Sequence, residues 1–384
     1  MNQSKIDRIF ESFLSHYNLC KNDPESMIMR RTGYKLIKSP LFVSWEITSE
    51  CNLSCVHCRA ANNISRSDIV NHSWEEYKKI ISYFRDAEIF RLGITGGEPF
   101  THPLLFDILK EVKKHNIQII LYTNGTLLNE KICDSLNMLL DEYDIIHFSL
   151  DGGNAESNDH QRGRGSFDKA ISGLEILSKT DINVRLNVVP TMCNIDSIEE
   201  LARLAVRYNV KEFGASPLMT AGRAIDSSKL EVETETLFEI ELSVEDILKN
   251  TTVQYIGGIS GTVHNYLELP QLVSNITKIK RKPVDKKICD AGTRKMFIDA
   301  NGDVYPCSLF ASSKEFCQGN IFEESLNSIW KRSSWKIFRV GIDVDNHCSE
   351  CALSCLCNGG CPALTYLHTG DLSGIDPRCK INKI

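Results

Sequence analysis

The chain has 384 residues, enough for a large barrel and a second, smaller module. Its composition is that of a globular protein, with 42% hydrophobic and 24% charged residues. A formal net charge of −6 argues against a nucleic-acid-binding protein. The sequence contains no signal peptide and no stretch apolar enough to cross a bilayer. We therefore expect a cytoplasmic protein that binds neither nucleic acid nor membrane.

The N-terminal segment, residues 1–40, is predicted to be a helix-and-loop lead-in. Its stretch DRIFESFLSHY carries apolar residues at helical spacing. We expect this helix to pack against the bottom of the following domain, with contact to a partner protein as the alternative.

Strand-like and helix-like segments alternate over residues 41–250. Six strands are predicted, from LFVSWEI to VKEFGAS, and each precedes a segment with helical spacing of apolar residues. Ser73 is the predicted N-cap of the first of these helices. Such alternation implies a parallel α/β sheet, either an open doubly wound sheet or a partial barrel. In both folds, the residues that carry chemistry follow the carboxyl ends of the strands.

The cysteines are clustered. There are 15 of them, three within residues 51–58 and six within residues 348–379. A large protein in a reducing compartment does not need disulfides, so metal binding or redox chemistry is favoured. Residues 251–288 are predicted to be a linker that includes the solvated stretch RKPVDKK. The segment 289–384 is short of long helices, and we expect it to bury little apolar surface and to fold around metal.

Cys51, Cys55 and Cys58 form a CxxxCxxC array just after the first predicted strand. Three thiolates this close can ligate one metal centre, and no fourth cysteine lies nearby. A structural zinc site normally closes with four ligands, whereas three cysteines can leave one iron of a cluster open. His57 lies between two of these cysteines, and we expect it to point away from the metal.

Glycine and polar residues follow the next predicted strands. Paired glycines allow close backbone approach to a ligand, and a carboxylate can bind an ammonium group. Hydroxyl and carboxylate groups suit a ribose, and an arginine can pair with a carboxylate. Together these residues favour a zwitterionic ligand that carries a ribose. They are Gly96, Gly97, Glu98 and Pro99 after strand two, Thr123 and Asn124 after strand three, Ser149 and Asp151 after strand four, and Arg162 downstream.

Cys193 follows the fifth predicted strand, in VVPTMCN. On the reactive rim its thiol could donate a hydrogen atom to a substrate radical, which makes it a candidate catalytic residue. The alternative is a partly buried loop cysteine.

CxxxCxxC after strand one and GGEP after strand two resemble the pattern of radical S-adenosylmethionine (SAM) enzymes, over residues 41–250. The resemblance implies a partial (β/α)6 TIM-type barrel. It implies a 4Fe–4S cluster on Cys51, Cys55 and Cys58, with SAM on the open iron. Residues 96–99 would bind the methionyl amino group, and Ser149, Asp151 and Arg162 the ribose or carboxylate. Reductive cleavage of SAM then gives methionine and a 5′-deoxyadenosyl radical, which abstracts a substrate hydrogen.

The C-terminal cysteines resemble those of the SPASM domain, which would span residues 289–384. The resemblance implies two auxiliary iron–sulfur clusters, expected to be of the 4Fe–4S type. The fourth ligand of one cluster stays open between Cys317, Cys355, the substrate and none, and a pair of zinc ribbons is the alternative for the whole domain. The implied ligands are Cys348, Cys351, Cys357 and Cys379 for one cluster, and Cys289, Cys307 and Cys361 for the other.

Members of this family fall mainly into two substrate classes. The larger modifies peptides and proteins, and the smaller trims tetrapyrroles in haem and haem d1 biosynthesis. The stretches SPLFVSWEIT, HCRA and CNGGCPALTYLHTGDLSGIDPRC resemble both classes, and among peptide enzymes they are most similar to mycofactocin maturases. We favour a ribosomally made peptide or small-protein substrate because that class is the larger. The lead-in is too short for a fused leader-binding module, so a separate leader-binding protein is expected. The electron donor would be a flavodoxin or ferredoxin. A non-catalytic iron–sulfur redox or sensor protein is the third hypothesis.

Overall fold

A computed structural model describes residues 37–60, 72–225, 228–266, 284–351 and 354–379. The predicted N-terminal helix lies outside these described residues, as do residues 267–283 of the predicted linker. The side chain of Cys355 also lies outside them.

One twisted sheet organises the described part of the chain. Strands β1 to β7 lie side by side in sequence order and pair in parallel, and two C-terminal strands extend the sheet on the other side of β1. The sheet order is β10-β9-β1-β2-β3-β4-β5-β6-β7, and β8 and β11 form a separate ribbon. The strands are β1 Phe42–Glu46, β2 Arg91–Thr95, β3 Gln118–Thr123, β4 Ile145–Ser149, β5 Val184–Val188, β6 Glu212–Ala215, β7 Gln254–Tyr255, β8 Lys286–Lys287, β9 Lys295–Ile298, β10 Val304–Tyr305 and β11 Ile342–Asp343.

Helices connect successive strands, as the alternating pattern predicts. Among the described residues between β1 and β7, the helices are α1 Trp74–Asp86, α2 Leu105–Lys113, α3 Glu130–Leu139, α4 Ala155–Arg162, α5 Ser166–Leu177, α6 Ile198–Arg207 and α7 Thr234–Leu248. The later, mostly short ones are α8 Val263–Tyr266, α9 Leu326–Trp330, α10 Lys336–Val340, α11 Asn346–Glu350, α12 Ser354–Cys357 and α13 Pro362–Thr369.

Helix α1 begins at the predicted cap. The Ser73 hydroxyl accepts a hydrogen bond from the Glu76 amide, and the Glu76 carboxylate accepts one from the Ser73 amide. This reciprocal capping satisfies two amides that would otherwise have no partner in the first turn. The amphipathic pattern then buries Tyr77 and Phe84, whose rings lie 5.7 and 5.3 Å from that of Trp45 in β1. Alternation along β1 therefore directs Glu46 to the opposite face, the interior of the partial barrel.

The C-terminal region is not the apolar-poor segment that the sequence predicts. Its short helices gather aromatic residues into a core, where Trp330 and Trp335 are buried with their rings 5.2 Å apart. Strand β9 also pairs with β1 in parallel, so this region continues the barrel sheet. The prediction that it buries little apolar surface is wrong, because short elements can share a core as long helices do.

No helix within the described ranges has both the length and the apolar character that a membrane span needs.

Candidate functional site

The CxxxCxxC loop follows β1 at the carboxyl end of the sheet. Cys51, Cys55 and Cys58 are each half-buried, and Cys55 and Cys58 are electrostatic neighbours of Cys51. Burial raises the pKa of the Cys51 thiol to about 11 and also raises that of Cys55. These thiols hold their protons until a metal displaces them, as expected of a site completed by metal binding.

Three separate parts of the barrel hold this loop. The Asn124 amide donates to the Asn52 side-chain oxygen at 2.9 Å, and the backbone amide of Val56 donates to the Gln161 carbonyl at 2.9 Å. Arg223, beyond β6, donates from Nε to the Cys55 carbonyl at 2.7 Å and from its amide to the Cys58 carbonyl at 3.0 Å. The sequence reasoning missed these contacts, since an Asn or an Arg after a strand gives no specific signal.

Gly96 and Gly97 allow two segments of backbone to lie in close contact. Their segment runs beside the residues that lead into the cysteine loop, and the Gly97 amide donates to the Thr48 carbonyl at 2.8 Å. A Cβ at Gly96 would lie 2.3 Å from the Thr48 carbonyl oxygen, and one at Gly97 would lie 2.0 Å from that of Glu50. The glycines therefore fix the cysteine loop against the GGEP segment. Pro99 is buried and opens the short turn that follows.

Glu98 is 1% exposed, and three donors fix its carboxylate. Oε1 accepts from the Thr123 hydroxyl at 2.8 Å and from the Phe100 amide at 3.3 Å, and Oε2 accepts from the Asn124 amide at 2.7 Å. A carboxylate has about four acceptor positions, so capacity remains for one further donor. Burial raises the pKa of Glu98 to about 7, against the opposing effect of these hydrogen bonds. Thr123 and Asn124 thus position Glu98, and their own contact with a cofactor stays a prediction.

Asp151 lies at the centre of a buried charged group. It is fully buried, its Oδ2 lies 3.2 Å from His57 Nε2 and forms an ion pair with Arg162, and its Oδ1 accepts from the Val189 amide at 2.8 Å. Both oxygens are engaged by the protein, so Asp151 positions His57 and Arg162, and direct contact with a ribose stays a prediction. The Arg162 guanidinium, followed by the His57 imidazole, holds the pKa of Asp151 below its usual range despite burial.

The ring of His57 points towards Asp151, as we expect of a residue that does not bind the metal. Its Nδ1 is buried without a hydrogen-bond partner among the described residues. Ser149 ends β4, half-buried, and Arg162 ends α4 with 8% exposure. Helix α4 was missed from the sequence because AESNDHQR has no apolar stripe.

Cys193 lies half-buried in the loop after β5. Its amide donates to the Thr191 hydroxyl at 3.1 Å, and Asn194 in the same turn donates to the Asp151 carbonyl at 2.6 Å. The loop is therefore tied to the Asp151 group. A hydrogen-atom donor role for Cys193 stays a prediction.

The structure brings three C-terminal thiols together around one cavity. Cys289, Cys307 and Cys361 line it together with apolar side chains such as Phe310 and Phe338. Burial, followed by the neighbouring Cys289 and Cys361, raises the pKa of Cys307 to about 11. A cavity with thiols as its soft donors and apolar walls fits an iron–sulfur cluster.

The other four thiols form a second group. Cys348, Cys351 and Cys379 are the electrostatic neighbours of Cys357, whose pKa is raised to about 11, chiefly by burial. The grouping is the one that the SPASM resemblance implies. In the described part of the chain, no three His, Cys, Asp or Glu side chains converge on one point as around a single ion.

Cys317 does not belong to either group. Its thiol donates to the Gly319 carbonyl at 3.5 Å, and its electrostatic neighbours are Asp303 and Lys314. The structure thus gives it no part as fourth ligand of the three-thiol group, and Cys355 stays outside the described side chains.

The barrel interior carries ionisable residues that the sequence reasoning missed. Glu46 is buried, and burial followed by Asp299 raises its pKa to about 8. His147 in β4 lies beside the Tyr122 ring, with centroids 4.5 Å apart, and burial lowers its pKa to about 3. A carboxyl and an imidazole that are both neutral at pH 7 therefore face the space enclosed by the sheet.

Comparisons with known proteins agree with this architecture. Residues 45–205 match the family model of the radical SAM superfamily, and residues 289–355 match SPASM, an iron–sulfur cluster-binding domain. The chain is 29% identical over 347 residues to mycofactocin maturase MftC of Mycolicibacterium smegmatis, covering 89% of this chain and 83% of that protein. It is 27% identical over 351 residues to an AdoMet-dependent heme synthase of Methanosarcina barkeri, covering 90% of this chain and 97% of that protein.

Among solved structures, the fold is similar to that of Streptococcus suis SuiB bound to its precursor peptide SuiA. The TM-score is 0.72 at 19% identity, covering 95% of this chain and 81% of that one. This likeness shows the fold alone.

The nearly all-parallel sheet, the clasped cysteine loop and the C-terminal thiol groups define a radical enzyme of the SAM-cleaving class. The chain belongs to the radical SAM superfamily and carries a C-terminal SPASM domain. Its cofactors are SAM, a 4Fe–4S cluster and auxiliary iron–sulfur clusters. The predictions of fold class, enzyme class and cofactors are confirmed.

Proposed function

We propose that this enzyme abstracts a hydrogen atom from a ribosomally made peptide or small protein and thereby matures it. The similarity to mycofactocin maturase over 89% of the chain carries the proposal. The fold shared with SuiB, a protein solved with its precursor peptide, is compatible with it. We leave open whether the modification is a crosslink, decarboxylation, epimerisation or oxidation.

In this proposal Cys51, Cys55 and Cys58 hold the radical-site cluster. Glu98, already fixed by Thr123 and Asn124, uses its remaining acceptor capacity for the amino group of SAM. A donor placed there favours the ionised carboxylate, and the buried setting strengthens the contact. Arg162 and Ser149 are the groups offered to the SAM carboxylate and ribose.

When bound, a reduced cluster on Cys51, Cys55 and Cys58 would supply the electron for reductive cleavage of SAM, the source of the radical chemistry that abstracts the substrate hydrogen. The protein positions the reactants and excludes water from the site. The Asp151 group contributes by holding Arg162 and His57 in place without solvent. The two C-terminal thiol groups hold the auxiliary clusters, with Cys289, Cys307 and Cys361 in one and Cys348, Cys351, Cys357 and Cys379 in the other.

The partners follow from this chemistry. We propose that the substrate's leader segment is presented by a separate leader-binding protein, and that a flavodoxin or ferredoxin delivers the electron. We place the enzyme in the cytoplasm, where a reducing environment keeps its thiols available for metal.

The test is anaerobic incubation of reconstituted enzyme with dithionite, SAM and a candidate precursor peptide encoded beside this gene. We expect 5′-deoxyadenosine by chromatography and a mass change in the peptide. A variant with Cys51, Cys55 and Cys58 replaced by Ala is the matched control and should yield neither product. Formation of 5′-deoxyadenosine with no change in any neighbouring peptide would contradict the substrate class while leaving the radical chemistry intact.

A tetrapyrrole substrate is the second candidate. The match to the AdoMet-dependent heme synthase, which spans 97% of that protein, favours it. The same assay with a carboxylate-bearing tetrapyrrole distinguishes the two, because only one substrate class should be consumed in step with 5′-deoxyadenosine formation. The non-catalytic hypothesis is set aside, since the chain is a radical SAM enzyme.

A further inference from the structure

Lys287 is an unusual residue for a protein interior. It lies in β8, opposite Ile342 of β11, and is only 1% exposed although it ends a stretch that the sequence predicts to be solvated. Glycine at position 359 leaves room for its stem, since a Cβ there would lie 3.0 Å from Lys287 Cγ. The fold thus makes space for a buried ammonium group.

Neutral groups account for the hydrogen bonds that this ammonium makes. Nζ donates to the Thr365 hydroxyl at 3.2 Å and to the Gly374 carbonyl. Within the described ranges, no carboxylate oxygen lies within 4.0 Å of it, whereas its half-buried neighbour Lys286 pairs with Asp343. A buried charge with no counter-charge in direct contact is costly, so a further negative partner is expected.

A half-buried cation of this region, Arg378, already has its partner. Arg378 donates from Nε and Nη2 to the two oxygens of Asp376, at 2.9 and 2.8 Å. Asp376 also accepts from the Cys361 amide at 2.6 Å. The Asp376 carboxylate is thereby committed to Arg378 and to the Cys361 loop.

Lys287 lies between the two C-terminal thiol groups. It lines the cavity of Cys289, Cys307 and Cys361. Its electrostatic neighbours are Cys348 of the four-thiol group, Asp376, Cys361 and Asp371, in that order of effect. One ammonium group is therefore close to both sets of thiolates.

We propose that Lys287 is the shared counter-charge of the two auxiliary clusters and raises the reduction potential of both. This inference depends on the proposed assignment of the seven C-terminal cysteines. Thiolate-bound clusters carry negative charge, and reduction adds another electron. A fixed positive charge in a medium of low dielectric constant stabilises the reduced form more than the oxidised form.

The experiment is an EPR-monitored redox titration of the full chain in a Cys51→Ala, Cys55→Ala, Cys58→Ala background, which leaves only the auxiliary signals. In that background Lys287→Met removes the charge, Lys287→Gln removes it but keeps hydrogen-bonding capacity, and Lys286→Met is the matched control on the same strand. We expect both Lys287 variants to disfavour reduction of each auxiliary cluster by about tenfold, a 59 mV fall for a one-electron couple. Lys286→Met should leave both potentials in place.

Iron and sulfide contents separate the outcomes. Full auxiliary iron with unchanged potentials in both Lys287 variants overturns the proposal. So does iron loss in Lys287→Met alone, with normal potentials in Lys287→Gln, because packing would then be the role of the lysine. If both variants lose iron, retention by Lys287→Arg supports the counter-charge and its failure to retain iron contradicts it. Absence of auxiliary iron from the parent background would instead overturn the cysteine assignment, and this inference with it.

Discussion

The cysteine loop after β1 and the C-terminal thiol groups hold their cysteines in different ways. The loop carries three cysteines within eight residues and is fixed by hydrogen bonds with Asn124, Gln161 and Arg223. The C-terminal groups draw on residues 289–379 and are assembled by folding around an aromatic core. The first site is formed by neighbouring residues and is held by hydrogen bonds, whereas the second is formed by residues distant in sequence and is held by core packing.

The difference indicates how each site is coupled to stability. A loop held by hydrogen bonds can lose its metal while the core of the barrel beneath it stays packed. Cys307 and Cys361 pack against the hydrophobic core of a region whose strand β9 continues the barrel sheet, so loss of the auxiliary clusters should destabilise the fold. The two regions therefore predict opposite balances between lost activity and lost stability.

The largest effect expected is that of Cys58→Ala. It removes one ligand of the radical-site cluster, so 5′-deoxyadenosine formation should fall to the background of the uncatalysed reaction, while thermal unfolding changes little. Cys317→Ala, outside both thiol groups, is the control and should keep both iron content and turnover. Chromatography, iron analysis and a thermal melt measure the three quantities. A large fall in melting temperature with Cys58→Ala would remove the contrast between the two regions.

The contrast between a local site and a long-range site also explains which features could be predicted from the sequence. Spacing within a single loop is visible in the chain, so Cys51, Cys55, Cys58 and GGEP could be recognised. The six predicted strands, β1 to β6, were placed to within one or two residues, whereas the short strands β7 to β11 were not predicted. Contacts between distant segments leave no local pattern. The parallel pairing of β9 with β1, the burial of Lys287 and the Asp151 group therefore came only from the structure. The C-terminal grouping could be predicted because a family resemblance supplies such long-range information.

Asp151→Ala tests whether the buried charged group stabilises the rim of the barrel. Removing one partner leaves Arg162 buried without its counter-charge, which costs about 3–5 kcal/mol. Anaerobic urea unfolding of reconstituted enzyme measures the change. Asp141→Ala is the matched control, because that half-exposed carboxylate pairs with Lys113 and should cost at most about 1 kcal/mol. Equal losses in the two variants would show that the Asp151 group is not a special anchor.

A smaller effect is expected in the pH dependence of SAM binding. The pKa of Glu98 is raised to about 7, chiefly by burial, so its carboxyl is mostly neutral at pH 6 and mostly ionised at pH 8. Only the ionised form accepts freely from the SAM amino group, and the apparent Kd should therefore rise about tenfold as pH falls from 8 to 6. Equilibrium dialysis with enzyme whose iron–sulfur clusters have been reconstituted measures the apparent Kd of SAM at each pH. Glu98→Gln should bind more weakly with a flatter profile, and an unchanged slope in that variant would assign the titration to another group.

The smallest expected effect is that of Arg223→Ala, which removes one hydrogen bond to the cysteine loop without changing a cysteine. The arginine is solvent-exposed and donates from Nε to one carbonyl of the loop, so its loss should weaken retention of the cluster by about 1 kcal/mol, roughly fivefold. The rate of iron release to a chelator measures it. Arg203→Ala, an exposed arginine on α6 that pairs only with its own helix, should release iron at the parent rate. The backbone amide of residue 223 still donates to Cys58, and Gly222 still fits beneath the loop, where a Cβ would lie 2.4 Å from the Cys58 carbonyl oxygen. A complete loss of the cluster would therefore mean that this one side chain, not the set of contacts from three parts of the barrel, holds the loop.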